Sequence, residues 1–295
     1  MGHTLEMDAR HRYQCVNVEH KGQPCEGVIF KSVTTILGKA VPKNLAWYGQ
    51  TRGVAGVKGL LRIPKYDVKA MKPGEIARAC EDEGISTVRG APHSYPAKLT
   101  RILKYDISTM TPDAITDALK HEHLTVNDHR DQAAARGTGI HKALEDYAAQ
   151  GIVPAASTFP ERDRGYVRGL AKFITTYKPE FDATEVRVLS VEHAYAGTFD
   201  LLARIEGRSY LIDLKTSRWI YPASHFPQLE AYEGARVEAG DDATDVRAVL
   251  WVNAEGDMAL VESTASFDDF LALKASAEVI GRLDASWKRP RKARA

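Results

Sequence analysis

The sequence predicts an α/β fold in which a mixed β-sheet is flanked by helices and preceded by a mostly helical N-terminal extension. Two observations support it: helix-like segments at 128–149 and 161–177 precede a strand-rich block, and strands and helices alternate from there onward. A third is composition, because 295 residues with 44% hydrophobic and 27% charged residues are ordinary for a globular chain with a substantial core.

The first part of the chain predicts short strands at 13–18 and 27–30, a helix from Ser32 and, after a break at Pro42, a second helix. Four residues here have zinc-ligand chemistry: His11, Cys15, His20 and Cys25. Their spacing contains no close Cys-x2-Cys pair, so a plain hairpin turning at Lys21-Gly22 is favoured over a zinc site.

The rest of the chain predicts the elements of a core domain. A helix over 128–149 is weakest at Gly137-Thr138-Gly139, and Pro160 starts a helix over 161–177. Strands follow at 185–194, 198–205 and 209–215, then a helix at 227–237, a strand pair at 246–252 and 258–262, and a helix from Ser266. The predicted organisation is therefore an extension (1–125), a core (126–287) and a basic tail (288–295).

Charge and cysteine content exclude several classes of protein. The net charge of +1 excludes a uniformly basic surface, so any contact with nucleic acid must use local patches. No apolar run approaches the ~20 residues of a membrane span, and no signal pattern opens the chain, so a cytoplasmic location is expected. Three cysteines predict neither a secreted disulfide scaffold nor a four-thiolate iron–sulfur cluster.

Two aspartates predict a metal site. If Glu206-Gly207 is the turn of a hairpin, Asp200 and Asp213 lie directly opposite each other, with Cβ atoms roughly 5 Å apart. Carboxylates that close repel unless a cation such as Mg²⁺ lies between them. Lys215 shares the face of Asp213, which suits phosphodiester hydrolysis. The alternative is a solvated surface salt bridge, but the apolar run 210–212 before Asp213 argues against it.

Two helical pairs add candidate site residues. His141 and Glu145 are spaced i, i+4 on one helix face, and so are Gln228 and Tyr232 on the helix after the hairpin. His141 could equally be a satisfied core histidine. Gln228 with Tyr232 could be a packing pair, or an amide backed by a hydroxyl near phosphate.

The order of these motifs resembles the RecB-type branch of the PD-(D/E)XK nuclease superfamily, including phage-encoded and CRISPR-associated exonucleases. The matching segments are Arg136–Glu145, Gly197–Asp200, Asp213–Thr216 and Gln228–Tyr232. The resemblance implies a restriction-endonuclease-like core and a DNase using Mg²⁺ or Mn²⁺. It implies that His141, Asp200, Asp213 and the Leu214 carbonyl bind the metal, that Lys215 is the catalytic lysine, and that Gln228 and Tyr232 are accessory residues. Glu145 and Glu192 are candidates either for contacting the metal ligands from outside or for binding a second metal ion.

The chain departs from that branch in lacking the iron–sulfur cysteines of some members, and no phosphate loop for ATP-driven unwinding is present. Candidate DNA contacts are therefore local: Arg136 near the His141 helix, and Lys288, Arg289, Arg291 and Lys292 in the tail. Trp219 and Tyr221, just after Lys215, are candidates for stacking on a base, although a core position is the commoner fate of aromatic residues.

The leading functional hypothesis is a metal-dependent DNA exonuclease of phage recombination or DNA processing, acting on linear ends or single strands with a single-strand-annealing or other recombination protein as a further expected partner. It would act in the host cytoplasm if phage-encoded. Alternatives are an endonuclease of the same fold and a catalytically inactive DNA-binding scaffold. A non-haem iron oxygenase using His141, Asp200 and either His193 or His225 is a third, although it has no use for Lys215.

Overall fold

The computed structural model of the chain contains two compact units. One comprises Met1–Pro42 and Arg136–Ala295, and the other comprises Lys43–Ala135. The structure describes residues 5–8, 12–16, 19–20, 23–24, 28–41, 102, 104–106 and 109–286. The predicted second helix after Pro42 and the basic tail lie outside these residues.

A mixed eight-stranded β-sheet forms the centre of the first unit. The strands of the chain are β1 (Leu5–Met7), β2 (Tyr13–Cys15), β3 (Glu19–His20), β4 (Gln23–Pro24), β5 (Ile29–Ser32), β6 (Glu180–Ser190), β7 (Tyr195–Ile205), β8 (Arg208–Lys215), β9 (Val246–Val252) and β10 (Met258–Glu262). The sheet order is β1-β2-β5-β7-β8-β9-β10, with β6 paired to β7. The β5–β7 and β8–β9 pairs are parallel. β3 and β4 pair only with each other, His20 opposite Gln23, whereas Lys21 and Gly22, where a turn is expected, lie outside the described residues.

The hairpin of β7 and β8 has the predicted turn and register. Ile205 pairs with Arg208, so Glu206 and Gly207 are the two turn residues, and both have positive φ angles (52° and 80°). Two positive φ angles define the type I′ turn, whose twist matches that of the flanking strands. The pairing continues to Leu201 opposite Ile212.

Helices accompany the strands and are capped by local side chains. They are α1 (Val33–Ala40), α2 (Pro112–His121), α3 (Val126–Gln150), α4 (Arg164–Tyr177), α5 (Pro222–Ala239) and α6 (Phe267–Ser286). Ser32 Oγ accepts a hydrogen bond of 3.1 Å from the Thr35 amide at the start of α1. At the start of α6, the Asp269 amide donates to Ser266 Oγ (3.3 Å) and the Ser266 amide donates to Asp269 Oδ2 (2.7 Å). Both arrangements satisfy amides that a helix leaves unpaired.

Two apolar clusters show that the sheet of the first unit is covered on both faces. Residues of α3 and α4, among them Leu144, Leu170 and Phe173, pack with alternate residues of β7, β8 and β9. Residues of α1, α5 and α6 pack in a second cluster that contains Leu211 and Val249 from the same strands. Because strand side chains alternate between faces, this division makes an α/β/α arrangement with the sheet in the middle. The predicted α/β class is confirmed.

The first strands of the chain join the sheet formed by the later strands. β5 pairs in parallel with β7, Lys31 opposite Tyr195, so β1, β2 and β5, all within residues 1–42, belong to the same sheet as the strands of the predicted core. Among the described residues of that segment, strands outnumber the single helix α1. The sequence of the first unit is interrupted by that of the second unit, Lys43–Ala135.

Several element boundaries differ from the predicted ones. β6 starts at Glu180 and ends at Ser190, because residues 191–194 form the turn to β7, with the Ala194 amide donating to the Val191 carbonyl (3.3 Å). α5 starts at Pro222, where proline suits the first turn, and continues through Pro227. The helix expected from 161 opens with a 3-10 turn, Glu161–Asp163, before α4. Within the described residues, no helix has the length and apolar character needed to cross a membrane.

Candidate functional site

Asp200 and Asp213 are buried side by side where β7 and β8 run together. They directly follow the Leu201–Ile212 pair, the last of the β7–β8 ladder, and only 7% and 2% of their surfaces are exposed. Asp200 Oδ2 accepts a hydrogen bond of 2.5 Å from the Leu214 amide, which fixes the Asp200 carboxylate against β8. The turn and register expected for this hairpin are observed as far as the Leu201–Ile212 pair.

Asp200 lies where the side-chain alternation of β7 changes. Phe199 packs in the cluster on the α5 side of the sheet, whereas Leu201 packs in the cluster on the α3–α4 side. A regular strand would place both on one face. This irregularity leaves Asp200 able to contact groups from α3 as well as β8.

His141 reaches the pair from α3. Its neighbours Ile140 and Leu144 are buried in the core, which fixes the rotation of the helix. His141 Nδ1 lies 2.9 Å from Asp200 Oδ1. The alternative of a histidine satisfied by apolar packing alone does not describe it, because its partner is a buried carboxylate.

Glu185 completes a cluster with metal-ligand chemistry, and the sequence did not single it out. Glu185 lies on β6, and the flanking pairs Thr184–Leu201 and Val186–Phe199 place it across from Asp200 of β7. Its φ angle is 50°, an uncommon conformation for glutamate, which redirects the side chain within the strand. Glu185 Oε1 lies 3.9 Å from His141 Nδ1, and the ligand atoms of His141, Glu185 and Asp200 all lie within 4.8 Å of one another.

Lys215, Gln228 and Tyr232 surround Asp213. Lys215 Nζ forms an ion pair with Asp213 Oδ2, as strand alternation predicted. Gln228 Nε2 donates to Asp213 Oδ1 (3.2 Å) and to the Tyr232 hydroxyl (2.7 Å). The i, i+4 spacing of Gln228 and Tyr232 therefore produces a direct contact that also reaches the aspartate.

Gly197 makes room for Tyr232. A Cβ atom at Gly197 would lie 2.4 Å from Tyr232 Cε1 and 3.3 Å from Val33 Cγ2. Real Cβ atoms do not approach carbon that closely, and Tyr232 is only 2% exposed, so its ring has little room to move. The glycine of the Gly-Thr-Phe-Asp motif is thus explained by the tyrosine that orients Gln228.

The site concentrates negative charge, and its pKa shifts reflect this. Burial, assisted by Asp200 and opposed by Lys215, raises the pKa of Asp213 to about 6. Burial acts to lower the pKa of His141, but the carboxylates of Asp200, Glu185 and Asp213 outweigh it and raise that pKa to about 10. Three carboxylates thus face two basic side chains.

The donor set fits a divalent cation. One imidazole nitrogen and carboxylate oxygens within ligand reach of one another suit Mn²⁺ or Mg²⁺, and Asp213 places a further carboxylate beside them. In this structure the His141 ring contacts Asp200, at the place where a bound cation would balance the charge of the carboxylates. Binding a metal requires the neutral imidazole, so proton and metal compete for the same group.

Several predicted residues do not show the contacts with this cluster that were expected of them. Glu145 lies 3.6 Å from Lys142, and Glu192 lies 3.8 Å from His193, so the roles expected for these glutamates have no supporting contact. Arg136 stacks on the Tyr166 ring at 4.6 Å. The Leu214 carbonyl was expected to bind the metal, and the hydrogen bond observed for Leu214 is the one that its amide donates to Asp200. Lys288, Arg289, Arg291 and Lys292 lie outside the described residues.

The alternative iron site is not assembled by the described residues. His225 Nδ1 accepts from the Tyr221 amide (3.2 Å), and His193 packs on Phe267, so neither joins His141 and Asp200 in an iron-binding triad. Of the four candidate zinc ligands, Cys15 is buried in β2 and His20 lies in β3, while His11 and Cys25 lie outside the described residues.

Comparison with known proteins does not assign a family. No protein-family model matches the chain, and no curated protein matches it. Among solved structures, one titled "Crystal structure of SSO0001" matches 52% of this chain and 74% of that chain at 18% identity, with a TM-score of 0.28. At this similarity the match identifies neither a family nor an activity.

Proposed function

We propose that the chain is a divalent-metal-dependent deoxyribonuclease with a restriction-endonuclease-like core, acting as an exonuclease in phage DNA recombination or processing. The observation that carries the proposal is the convergence of His141, Glu185 and Asp200 with the Asp213–Lys215 pair at the end of β8. The motif order that resembles the RecB-type nucleases supports it, and so does the buried glutamine–tyrosine pair on α5. The inactive-scaffold alternative gives no reason for keeping Lys215 beside buried acids.

His141, Glu185 and Asp200, with Asp213 next to them, would hold the cation. Bound there, Mg²⁺ or Mn²⁺ would supply a water of lowered pKa and shield the charge of the phosphate. This combination is needed because DNA phosphates carry negative charge and the site itself is rich in carboxylates.

Lys215 is positioned to offset the charge that develops on phosphate. As the water oxygen bonds to phosphorus and the bond to the leaving sugar oxygen breaks, the water proton is transferred to that oxygen, and negative charge rises on the other phosphate oxygens. The Lys215 ammonium can donate hydrogen bonds to them. Gln228 holds one oxygen of Asp213, which leaves the other for Lys215, and Tyr232 fixes the orientation of the Gln228 amide.

The test compares Lys215→Ala with Lys142→Ala on end-labelled linear and covalently closed circular DNA. Lys142 is the matched control, because it is an exposed lysine beside His141 that pairs with Asp146 (2.7 Å) outside the cluster. We expect cleavage to require Mg²⁺ or Mn²⁺, to fall about 100- to 1,000-fold in Lys215→Ala, and to persist in Lys142→Ala.

Each outcome of this test has one meaning. Cleavage in chelator, or full activity of folded Lys215→Ala, contradicts the metal-dependent mechanism. Sparing of circular DNA supports the exonuclease, whereas cutting of circles makes the chain an endonuclease of the same fold.

A further inference from the structure

Two aromatic side chains are exposed directly after the candidate catalytic lysine. Residues 216–221 connect the end of β8 to the start of α5, and in this loop Trp219 and Tyr221 are 55% and 42% exposed. Ile220, between them, packs against the core instead. Burying a large aromatic side chain is favourable, because it removes a large apolar surface from water. A loop that buries its isoleucine but exposes the aromatic residues on either side therefore leaves an unfavourable apolar surface in contact with solvent.

The loop is held in this conformation by hydrogen bonds from fixed elements. Trp251 Nε1, on β9, donates to the Ser217 carbonyl (2.8 Å), and Ser217 Oγ donates to the Trp219 carbonyl (2.7 Å). At its other end, the Tyr221 amide donates to His225 Nδ1 (3.2 Å). The aromatic side chains are therefore presented by an ordered backbone, which reduces the entropy lost when a ligand packs on them.

The loop is tied to the candidate site at both ends. Trp219 follows Lys215 by four residues, so their Cα atoms are at most roughly 14 Å apart. The helix that follows carries Gln228 and Tyr232. The Arg218 guanidinium lies 5.4 Å from the centre of the Trp219 ring and adds positive charge to this edge, which suits a phosphate-bearing ligand.

We propose that Trp219 and Tyr221 form a stacking platform for an unpaired DNA base next to the bond that is cleaved. The inference rests on the proposed nuclease function and narrows its substrate to single strands or frayed ends. Aromatic side chains stack on any base, because every base has a π face, but a base within a duplex is already stacked on its neighbours. The platform thus gives strand selectivity without sequence selectivity.

The first measurement is the Kd for a fluorescent single-stranded oligonucleotide in chelator, so that no cleavage occurs. Trp219→Ala is expected to raise the Kd about 5- to 150-fold, the range for losing one stacked base, and Tyr221→Ala to raise it less. Trp219→Phe, which keeps a stacking ring, should stay within a few-fold of the wild type. Ile152→Ala is the matched control, since Ile152 is 68% exposed and its loss should not change the Kd.

The second measurement identifies the base. Single abasic sites are placed along the oligonucleotide, and one or two positions should weaken binding to the wild type. The same abasic sites should cost little in Trp219→Ala, because the ring that stacks on the missing base is already gone.

The outcomes separate the two proposals. If Trp219→Ala binds like the wild type, or abasic sites cost the same in both proteins, the platform is wrong while metal-dependent cleavage can still hold. If the wild type neither binds nor cleaves DNA, the proposed function is wrong and the platform with it. Equal Kd values for matched single- and double-stranded DNA also overturn the platform.

Discussion

Helix α5 carries two buried polar clusters that differ in how their charges are balanced. Near its C-terminal end, Glu233 Oε1 accepts from the Thr244 amide (2.5 Å) and hydroxyl (3.0 Å), and Glu233 Oε2 accepts from Arg236 (3.0 Å). Earlier on the same helix, Gln228 faces Asp213, in a site where three carboxylates stand against two basic groups.

The difference teaches how to tell structural polar groups from functional ones. Both clusters are buried, but the Glu233 cluster pairs its anion with a cation and local donors, as stability requires. The Asp213 cluster keeps an excess of negative charge, whose burial is unfavourable unless a ligand supplies positive charge. Charge excess, rather than burial alone, therefore marks the candidate site.

The largest expected effect is on activity when the charge excess is reduced. Asp213→Asn should lower cleavage about 1,000-fold or more, because the carboxylate that holds Lys215 is lost. Its free energy of unfolding should be unchanged or higher without metal, because the raised pKa means that the ionised carboxylate destabilises the native state. Activity assays and urea unfolding at neutral pH measure the two effects. A marked loss of stability would contradict this account of the cluster.

The sign of the pH dependence follows from the same shift. The pKa of Asp213 is raised on folding to about 6, so its destabilising effect is fully present above that pH and is relieved as the pH falls toward the unfolded value. In Asp213→Asn this contribution to the pH dependence of unfolding should disappear.

The second expected effect is on stability rather than on activity, and it concerns the cluster of Glu233, Arg236 and Thr244. Glu233→Ala should lower the free energy of unfolding by about 3 kcal/mol, since it leaves Arg236 buried beside unpaired Thr244 donors. Cleavage per folded molecule should not change. Urea unfolding checks the first statement and active-site titration the second; a loss below about 1 kcal/mol would mean that solvent replaces these contacts.

The third expected effect is on both stability and activity. Gly197→Ala places a methyl group against the Tyr232 ring and should lower the free energy of unfolding by about 2 kcal/mol, with cleavage reduced as Gln228 shifts. Gly38→Ala is the control, because no atom lies within 4 Å of its added Cβ and alanine favours a helix. Equal stability of the two variants would show that the Tyr232 ring has room to move.

The smallest effect is on metal affinity. Glu185→Gln should weaken Mn²⁺ binding roughly tenfold, because it removes one anionic ligand from the rim of the cluster while leaving the buried aspartates. Glu145→Gln should not change it, since Glu145 contacts Lys142 instead. Isothermal titration calorimetry of both variants measures this, and equal losses would remove Glu185 from the metal site.

The parts of the site that the sequence predicted depend on short-range geometry. The Glu206-Gly207 turn sets the register of the hairpin up to Leu201 and Ile212, the residues next to Asp200 and Asp213. Strand alternation places Lys215 beside Asp213, and helical spacing joins Gln228 to Tyr232. Each of these follows from residues within one hairpin or one helical turn.

What the sequence did not predict depends on tertiary pairing. Glu185 faces Asp200 only because a four-residue turn at 191–194 sets the register of β6, and because a positive φ angle turns its side chain. The place of the N-terminal strands in the core sheet depends on the parallel β5–β7 pair, which local patterns do not reveal. The roles expected for Glu145 and Glu192 were based on the family resemblance and, for Glu145, on helical spacing, without such tertiary information.

That parallel pair also has a kinetic consequence. Lys31 lies beside Tyr195, so this part of the sheet forms only after the long stretch of chain between these residues has been synthesised and the two segments have met. Contacts between such distant positions slow folding, because the entropy of closing the loop is lost before the strand pair compensates for it. On the ribosome, β1, β2 and β5 must wait for β7, and a chaperone that shields their unpaired edges during synthesis should raise the yield of native protein.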